Sequence, residues 1–99
     1  MTKTFNFSKA LELLKEGNFL SRLAWQDSSL SSTKIYLTNG SEFVPSRPPL
    51  SSIQENVIFK PHFDKLTSTR KGNALVYTAQ VITLSNEDIL ADDWYVPSN

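Results

Sequence analysis

The sequence contains no cysteine and only three glycines among its 99 residues. Disulfide bonds, thiolate catalysis and zinc–cysteine sites are therefore excluded. None of the glycines forms a G-x-G or Walker pattern, so no glycine-rich phosphate loop is present. Every apolar run is shorter than the roughly 18 residues of a membrane span, and the first residues lack the apolar segment of a signal peptide. We therefore expect no membrane partner and a cytoplasmic location.

An excess of charge of either sign is also missing, because ten basic residues balance ten acidic ones. A protein that binds nucleic-acid polymers or membrane surfaces usually shows a basic excess, so neither partner is expected. A net charge near zero gives little protection against self-association, which favours an oligomer. With 39% apolar residues, residues 1–99 are expected to form a single domain.

Residues 8–16, SKALELLKE, are predicted to form a short amphipathic helix. Ala10, Leu13 and Leu14 have the i, i+3, i+4 spacing of one buried face. Ser8 is expected to cap the start of this helix, and Gly17 suits a left-handed residue at its end.

Most of the remaining chain is predicted to form strands. The pair Asn39-Gly40 predicts a β-hairpin, and Pro61 marks a strand edge or a break in a strand. Residues 67–73 are predicted to form a polar turn, and residues 28–33 a mobile loop. Segment 74–84, as the longest β-rich run, is expected to be a central or strongly bent strand. The fold class is therefore α+β, with the N-terminal helix packed on a mostly antiparallel sheet and a short helical turn near the C-terminus. The predicted strand segments are 19–25, 34–38, 42–44, 57–66, 74–84 and 93–96.

The stretch SNEDILADDW, residues 85–94, places four carboxylates beside a tryptophan. Ser85 followed by Asp88 has the spacing of a capping box, which favours a capped helical turn before a strand. Ile89 and Leu90 are expected to supply the buried side of that turn. Asp92 and Asp93 are neighbours whose side chains should diverge. General acid–base catalysis would need a second, differently tuned group at the same point, and none is evident.

The single histidine offers little for catalysis or metal binding. His62 and Asp64 lie two residues apart, so a strand places both on one face. Two ligands are too few for a dedicated metal site, and a hydrogen-bonded structural histidine is the favoured interpretation. We therefore expect no catalytic residue, no metal and no cofactor.

The arginines and aromatic residues of the sequence suit a ligand-binding protein better than an enzyme. Arg22 and Arg47 could pair with phosphate, and Trp25, Tyr36 and Tyr77 offer flat faces for a base. Core packing remains the alternative role for each aromatic residue.

Taken from end to end, about residues 5–96 resemble the second type of Thoeris anti-defence protein, a phage and bacterial family. The order and spacing of many short motifs carry this resemblance. They are Phe7, AL at 10–11, Gly17, Arg22, Trp25, RPPL at 47–50, PHFD at 61–64, Ser85, Asp88, ILA at 89–91 and DW at 93–94.

The resemblance implies a non-catalytic sponge that sequesters cyclic ADP-ribose-type immune signals, here of the glycocyclic ADP-ribose type, inside the infected host cell. Some relatives also take up cyclic dinucleotides, and family members tend to form homotetramers with pockets between subunits. It implies that Trp25 stacks on a base, that Arg22 and Arg47 pair with phosphate, and that Asn86 or Asp88 contacts ribose hydroxyls or base edges. The ligand-binding residues it suggests are Phe7, Arg22, Trp25, Arg47, Pro49, Asn86 and Asp88. Two alternatives stay open: a hydrolase or lyase of the same signals, and an interaction module without a small ligand.

Overall fold

The first helix, α1, spans Phe7–Lys15 in a computed structural model that describes residues 3–26 and 31–97. Asn6, and not Ser8, caps this helix, because its side chain accepts a hydrogen bond from the Lys9 backbone N–H at 3.1 Å. Gly17 follows the helix with φ of +97°, the left-handed conformation that the sequence predicted.

The rest of the described chain contains seven strands and a second helix. It also contains two short 3₁₀ helices, at Leu23–Trp25 and Leu50–Ile53. The α+β prediction is confirmed, since every strand pairing is antiparallel. The elements are β1 (Ser21–Arg22), β2 (Ser31–Thr38), β3 (Ser41–Phe43), β4 (Val57–Phe59), β5 (His62–Lys71), β6 (Ala74–Ile82), α2 (Asn86–Leu90) and β7 (Trp94–Tyr95).

The strands form three antiparallel groups, with orders β2–β5–β6, β3–β4 and β1–β7. The prediction of a hairpin at Asn39-Gly40 is wrong, because this pair leads from β2 of one sheet to β3 of another. Lys60-Pro61 crosses back from β4 to β5, which confirms the break predicted at Pro61. The two crossings touch: a Cβ on Gly40 would lie 2.5 Å from the Phe59 carbonyl oxygen. Gly40 is needed for this close approach of two backbones, and not for a hairpin turn.

Two further strand predictions are corrected in the β5–β6 hairpin. Residues 67–71 continue β5, and the turn comprises only Gly72 and Asn73. β-branched side chains explain the extension, since Thr67 and Thr69 are paired on β2 and β6 alike. β6 spans Ala74–Ile82 and is not central, because it lies at an edge of the β2–β5–β6 sheet in the part of the chain that is described; the alternative of a strongly bent strand stays a prediction.

The predicted strand at 19–25 is also corrected. Only Ser21–Arg22 is a strand, and Leu23–Trp25 turns into a 3₁₀ helix. The mobile loop predicted at 28–33 falls partly outside the described residues, at 28–30, while 31–33 belong to β2.

The core lies between α1, the central sheet and the β1–β7 pair. The buried apolar residues are Ala10, Leu14, Leu20, Ile35, Leu84, Trp94 and Tyr95. Ile89 and Leu90, expected to be buried, are 43% and 79% exposed. The short α2 is held instead by polar contacts, because Trp94 Nε1 donates to the Asp88 carbonyl oxygen at 2.8 Å.

Candidate functional site

Arg22 joins the two ends of the chain through two carboxylates. Its Nε donates to Asp93 Oδ1 at 2.7 Å, and its second donor, Nη1, binds Asp88 Oδ1 at 2.6 Å. Only 8% of the Arg22 side chain is exposed, compared with 17% for Asp88 and 28% for Asp93. The guanidinium therefore lies in an ion-pair network, and a phosphate could reach its bound edges only by displacing a carboxylate.

Asp93 also explains why the strand ends after Arg22. Its Oδ2 accepts from the Ala24 backbone N–H at 3.0 Å, and its carbonyl oxygen accepts from the Leu23 N–H at 3.1 Å. These bonds satisfy backbone donors that a strand would direct to a neighbouring strand. The chain turns here, and Trp25 is presented beside Asp88.

The Asp88 carboxylate is fixed from both sides. The predicted capping box is present, since Ser85 Oγ accepts from the Asp88 backbone N–H at 3.1 Å and Asp88 Oδ2 accepts from the Ser85 N–H at 3.2 Å. Arg22 holds the other carboxylate oxygen. This carboxylate is thus an oriented hydrogen-bond acceptor in the first turn of α2.

Burial and hydrogen bonding oppose each other at the two acids. Burial alone would raise the pKa of Asp88, but hydrogen bonds from Arg22 and Ser85 together hold it below its ordinary value. Burial would also raise the pKa of Asp93, but hydrogen bonds from Arg22 and the Ala24 N–H hold it below its ordinary value. The hydrogen bond to Asp93 raises the pKa of Arg22 above its usual range, despite burial. All three groups are charged at neutral pH.

Three aromatic rings support this network. Trp94 is fully buried, with Phe7 packed at a centroid distance of 5.4 Å and Trp25 edge-on at 5.1 Å. Trp25 is only half-buried, so it serves partly in packing and keeps part of its ring accessible.

A cleft of about 340 Å³ opens beside Trp25 and Asp88. It combines one aromatic ring, one carboxylate, one ammonium, two hydroxyls and an apolar side chain. Such a surface can stack on a flat ring, accept from hydroxyls and donate to an anion. Its lining residues are Trp25, Thr33, Lys65, Ile82, Thr83 and Asp88.

A second concave surface, of about 350 Å³, surrounds Arg47 and Pro49. Phe43 and Phe59 line it with rings stacked at 5.0 Å and 10°. It is more apolar than the first cleft, and Arg47 is its single cationic lining residue.

The predicted site residues thus fall into separate groups. Trp25 and Asp88 line the first cleft, with Arg22 behind Asp88 and Phe7 behind Trp94. Arg47 and Pro49 line the second surface. Asn86 is the exposed first residue of α2 and lines neither. Whether these residues bind a ligand stays a prediction.

Sequence reasoning missed Asp93, Lys65, Thr33 and Thr83. The partner of Arg22 was out of reach, since Asp93 lies 71 residues away. Lys65 and Thr33 carried one available signal: each lies two residues from an apolar residue, Phe63 and Ile35, and this spacing places them on the same face of a strand as those residues.

His62 is hydrogen-bonded, as predicted. Its Nδ1 lies 3.0 Å from the Lys60 carbonyl oxygen, and its Nε2 lies 3.3 Å from Asp64 Oδ2, which also accepts from the Thr38 hydroxyl. Within residues 3–26 and 31–97, no three His, Asp or Glu side chains gather as a metal-binding group.

The amino-acid sequence matches one known protein family over most of its length. The Tad2-like family pattern, described as the Thoeris anti-defense 2-like domain, matches residues 5–97. The chain belongs to the Thoeris anti-defense 2-like family. No curated protein and no solved structure matched the sequence.

Membership in the Thoeris anti-defense 2-like family confirms the resemblance and supports a role as a Thoeris inhibitor. The family is an anti-defence domain, and the match indicates no catalytic family. Neither described helix has the length and apolar character needed to cross a bilayer.

Proposed function

We propose that this protein is a non-catalytic sponge that binds and sequesters cyclic ADP-ribose-type immune signals in the cytoplasm of an infected host cell. The observation that carries the proposal is the cleft between Trp25 and Asp88 in a chain of the Thoeris anti-defense 2-like family. A sponge needs tight ground-state binding and no transition-state complementarity. To capture a scarce signal its affinity should be nanomolar, about −12 kcal/mol.

The chemistry of the cleft matches one half of a cyclic nucleotide. The accessible part of the Trp25 ring can stack on a base, a contact worth about 1–3 kcal/mol. The Asp88 carboxylate is an oriented acceptor for ribose hydroxyls. Asn86, exposed at the start of α2, could add a contact to a base edge if the ligand extends past the cleft.

The size of the cleft supports a shared site. At about 340 Å³, it lies at the low end of the range of roughly 300–1,000 Å³ for small-molecule sites. A ligand with two nucleotide halves would leave one half uncovered. Arg47 and Pro49 lie on a different concave surface, so they could contribute from a neighbouring subunit.

The surface of the chain favours self-association, and the homotetramer is the assembly that we propose. A compact monomer of 11.2 kDa should expose about 5,700 Å², whereas this chain exposes 7274 Å². The excess indicates an open shape with surface available for a partner.

Exposed apolar side chains cluster on two elements that could form interfaces between chains. β6 exposes Leu75, Val76, Tyr77 and Val81, and Ile58 projects from the β3–β4 pair. A nine-residue edge strand with this surface invites pairing with another chain.

The experiment is a capture and release assay. The protein is incubated with a glycocyclic ADP-ribose, freed of unbound ligand, denatured by heat and analysed by chromatography. Recovery of intact ligand, at about one equivalent or less per chain, is the expected result. Protein denatured before incubation is the control, and a cyclic dinucleotide run in parallel tests the second ligand class.

Other outcomes separate the alternatives. Recovery of a converted nucleotide would show a hydrolase or lyase. Recovery of nothing with either ligand class would contradict the sponge and favour an interaction module. Light scattering at micromolar concentration tests the tetramer, and a monomer there would refute a site shared between subunits.

A further inference from the structure

The positive charge available in the Trp25–Asp88 cleft belongs to Lys65. This residue lies on the central strand β5, where its Cα partners are Ile35 on β2 and Gln80 on β6. Ile35 is fully buried, so Lys65 stands on the inner face of the sheet at the margin of the core. A lysine in such a place needs water or an anionic partner for its ammonium group.

Among the described residues, the charged groups around the cleft provide no anionic partner for the Lys65 ammonium. Arg22 is enclosed by two carboxylates, so these three groups together carry one net negative charge. Lys65 forms no ion pair with any residue in the described ranges, although it lines the same cleft as Asp88. An anionic ligand entering the cleft would meet a repulsive network on one side and an ammonium group on the other.

Two hydroxyl groups complete an anion-binding set. Thr33 and Thr83 line the cleft together with Lys65, and both can donate a hydrogen bond to a phosphate oxygen. The register of β2 and β5 places Thr33 on the same face as Lys65, because it is two residues from Ile35.

We infer that Lys65, with Thr33 and Thr83, binds the phosphate of the ligand, and that Arg22 is a positioning residue that holds the Asp88 carboxylate. This inference rests on the proposed function and names the group that recognises the anionic part of the signal. The base lies against Trp25, the ribose hydroxyls face Asp88, and the pyrophosphate lies over β5.

The test compares Lys65→Gln with Lys71→Gln by calorimetric titration at low and high salt. Lys71 is the matched control, since it lies on the same strand and face, six residues or roughly 20 Å away. With cyclic ADP-ribose as the probe, Lys65→Gln should weaken binding by roughly tenfold or more at low salt, and the salt dependence should become flatter. Lys71→Gln should bind within about twofold of the wild type, and Lys65→Arg should retain most of the affinity.

A measurement on the wild-type protein keeps the inference testable if a variant does not fold. Acetylation of lysines is followed by mass spectrometry with and without cyclic ADP-ribose, and with inorganic pyrophosphate. Protection of Lys65 but not Lys71 is the expected result.

The outcomes separate this inference from the proposed function. If the wild type binds cyclic ADP-ribose while Lys65→Gln binds equally well and Lys65 stays unprotected, the inference is overturned and the sponge stands. If no cyclic nucleotide binds but pyrophosphate protects Lys65, the sponge fails and the anion site stands. If neither probe binds or protects, both are refuted.

Discussion

Replacing Arg22 by glutamine should destabilise the fold more than any substitution of an exposed charge. The variant leaves Asp88 and Asp93 without the cation that both contact at 2.6–2.7 Å. Asp88 keeps its Ser85 contacts and Asp93 keeps the Ala24 N–H, so the two carboxylates are only partly compensated.

The magnitude follows from burial. Removing one partner of a buried ion pair costs about 3–5 kcal/mol. Since the carboxylate side chains remain 17% and 28% exposed, we expect the lower end, about 3 kcal/mol. For a domain of this size, a loss of about 3 kcal/mol lowers Tm by roughly 12–24 °C.

The pH dependence of the loss in stability tests whether the two carboxylates cause it. In the folded protein the pKa of both acids is below the ordinary value, so their contribution is complete above the unfolded-state pKa of about 3.9 and is lost as pH falls through the folded-state values. The difference in stability between wild type and Arg22→Gln should therefore be full at pH 7 and shrink below about pH 4.

The assay is urea unfolding across this pH range at one fixed protein concentration, because assembly would couple stability to concentration. Arg70→Gln is the matched control, since Arg70 is exposed near the end of β5. Its stability should stay within about 0.5 kcal/mol of the wild type. An Arg22→Gln protein within about 1 kcal/mol of the wild type at pH 7, or a difference that is as large at pH 3 as at pH 7, would refute the reasoning.

Four further substitutions test separate parts of the structure. Ser85→Ala should cost about 1 kcal/mol through the lost cap, measured by urea unfolding; no change would mean that the cap is not needed. Asp92→Asn, at an exposed position, should change stability by less than about 0.5 kcal/mol and leave ligand capture intact, and a folded variant that captures nothing would contradict this. Trp25→Ala should lose about 1–3 kcal/mol of binding to cyclic ADP-ribose with little salt dependence, and unchanged affinity in calorimetry would remove this ring from the site. Gly40→Ala should lower Tm, because the new Cβ would meet the Phe59 carbonyl oxygen at 2.5 Å; an unchanged Tm would show that the two crossings can separate freely.

Most features that depend on neighbours in sequence were predicted well, although the cap of α1 was expected at Ser8 and is Asn6. The capping box needs only Ser85 and Asp88, three residues apart, and both of its hydrogen bonds are present. Pro61 ends a strand because it lacks a backbone donor, wherever the next strand lies. The face of α1 follows in the same way from the spacing of Ala10 and Leu14.

Features that depend on distant partners were not predictable. Asn39-Gly40 has the composition of a hairpin turn, yet β2 pairs with β5 and β3 with β4, so pairing elsewhere overrides the local signal. The strand predicted through Trp25 ends early because Asp93 takes the backbone donors of the next residues. The site shows the same division: Trp25 and Asp88 stood out as residue types, whereas the alternation around Lys65 indicated only a face of a strand, and the register of β5 was needed to assign that face to the core.

The ion pair between Arg22 and Asp93 joins residues 71 positions apart, so it can form only after Asp93 has been synthesised. The β5–β6 hairpin has a turn of two residues, and such hairpins form within about 1–10 μs once both strands are available. Arg22, in contrast, is made early and must wait for a carboxylate 71 residues later. A nascent chain that has released β6 but not residues 85–95 lacks Asp88, Trp94 and the Asp93 contacts that turn the chain before Trp25. A nascent chain therefore lacks the cleft between Trp25 and Asp88 until this segment emerges, and under the proposed function it cannot capture ligand before then.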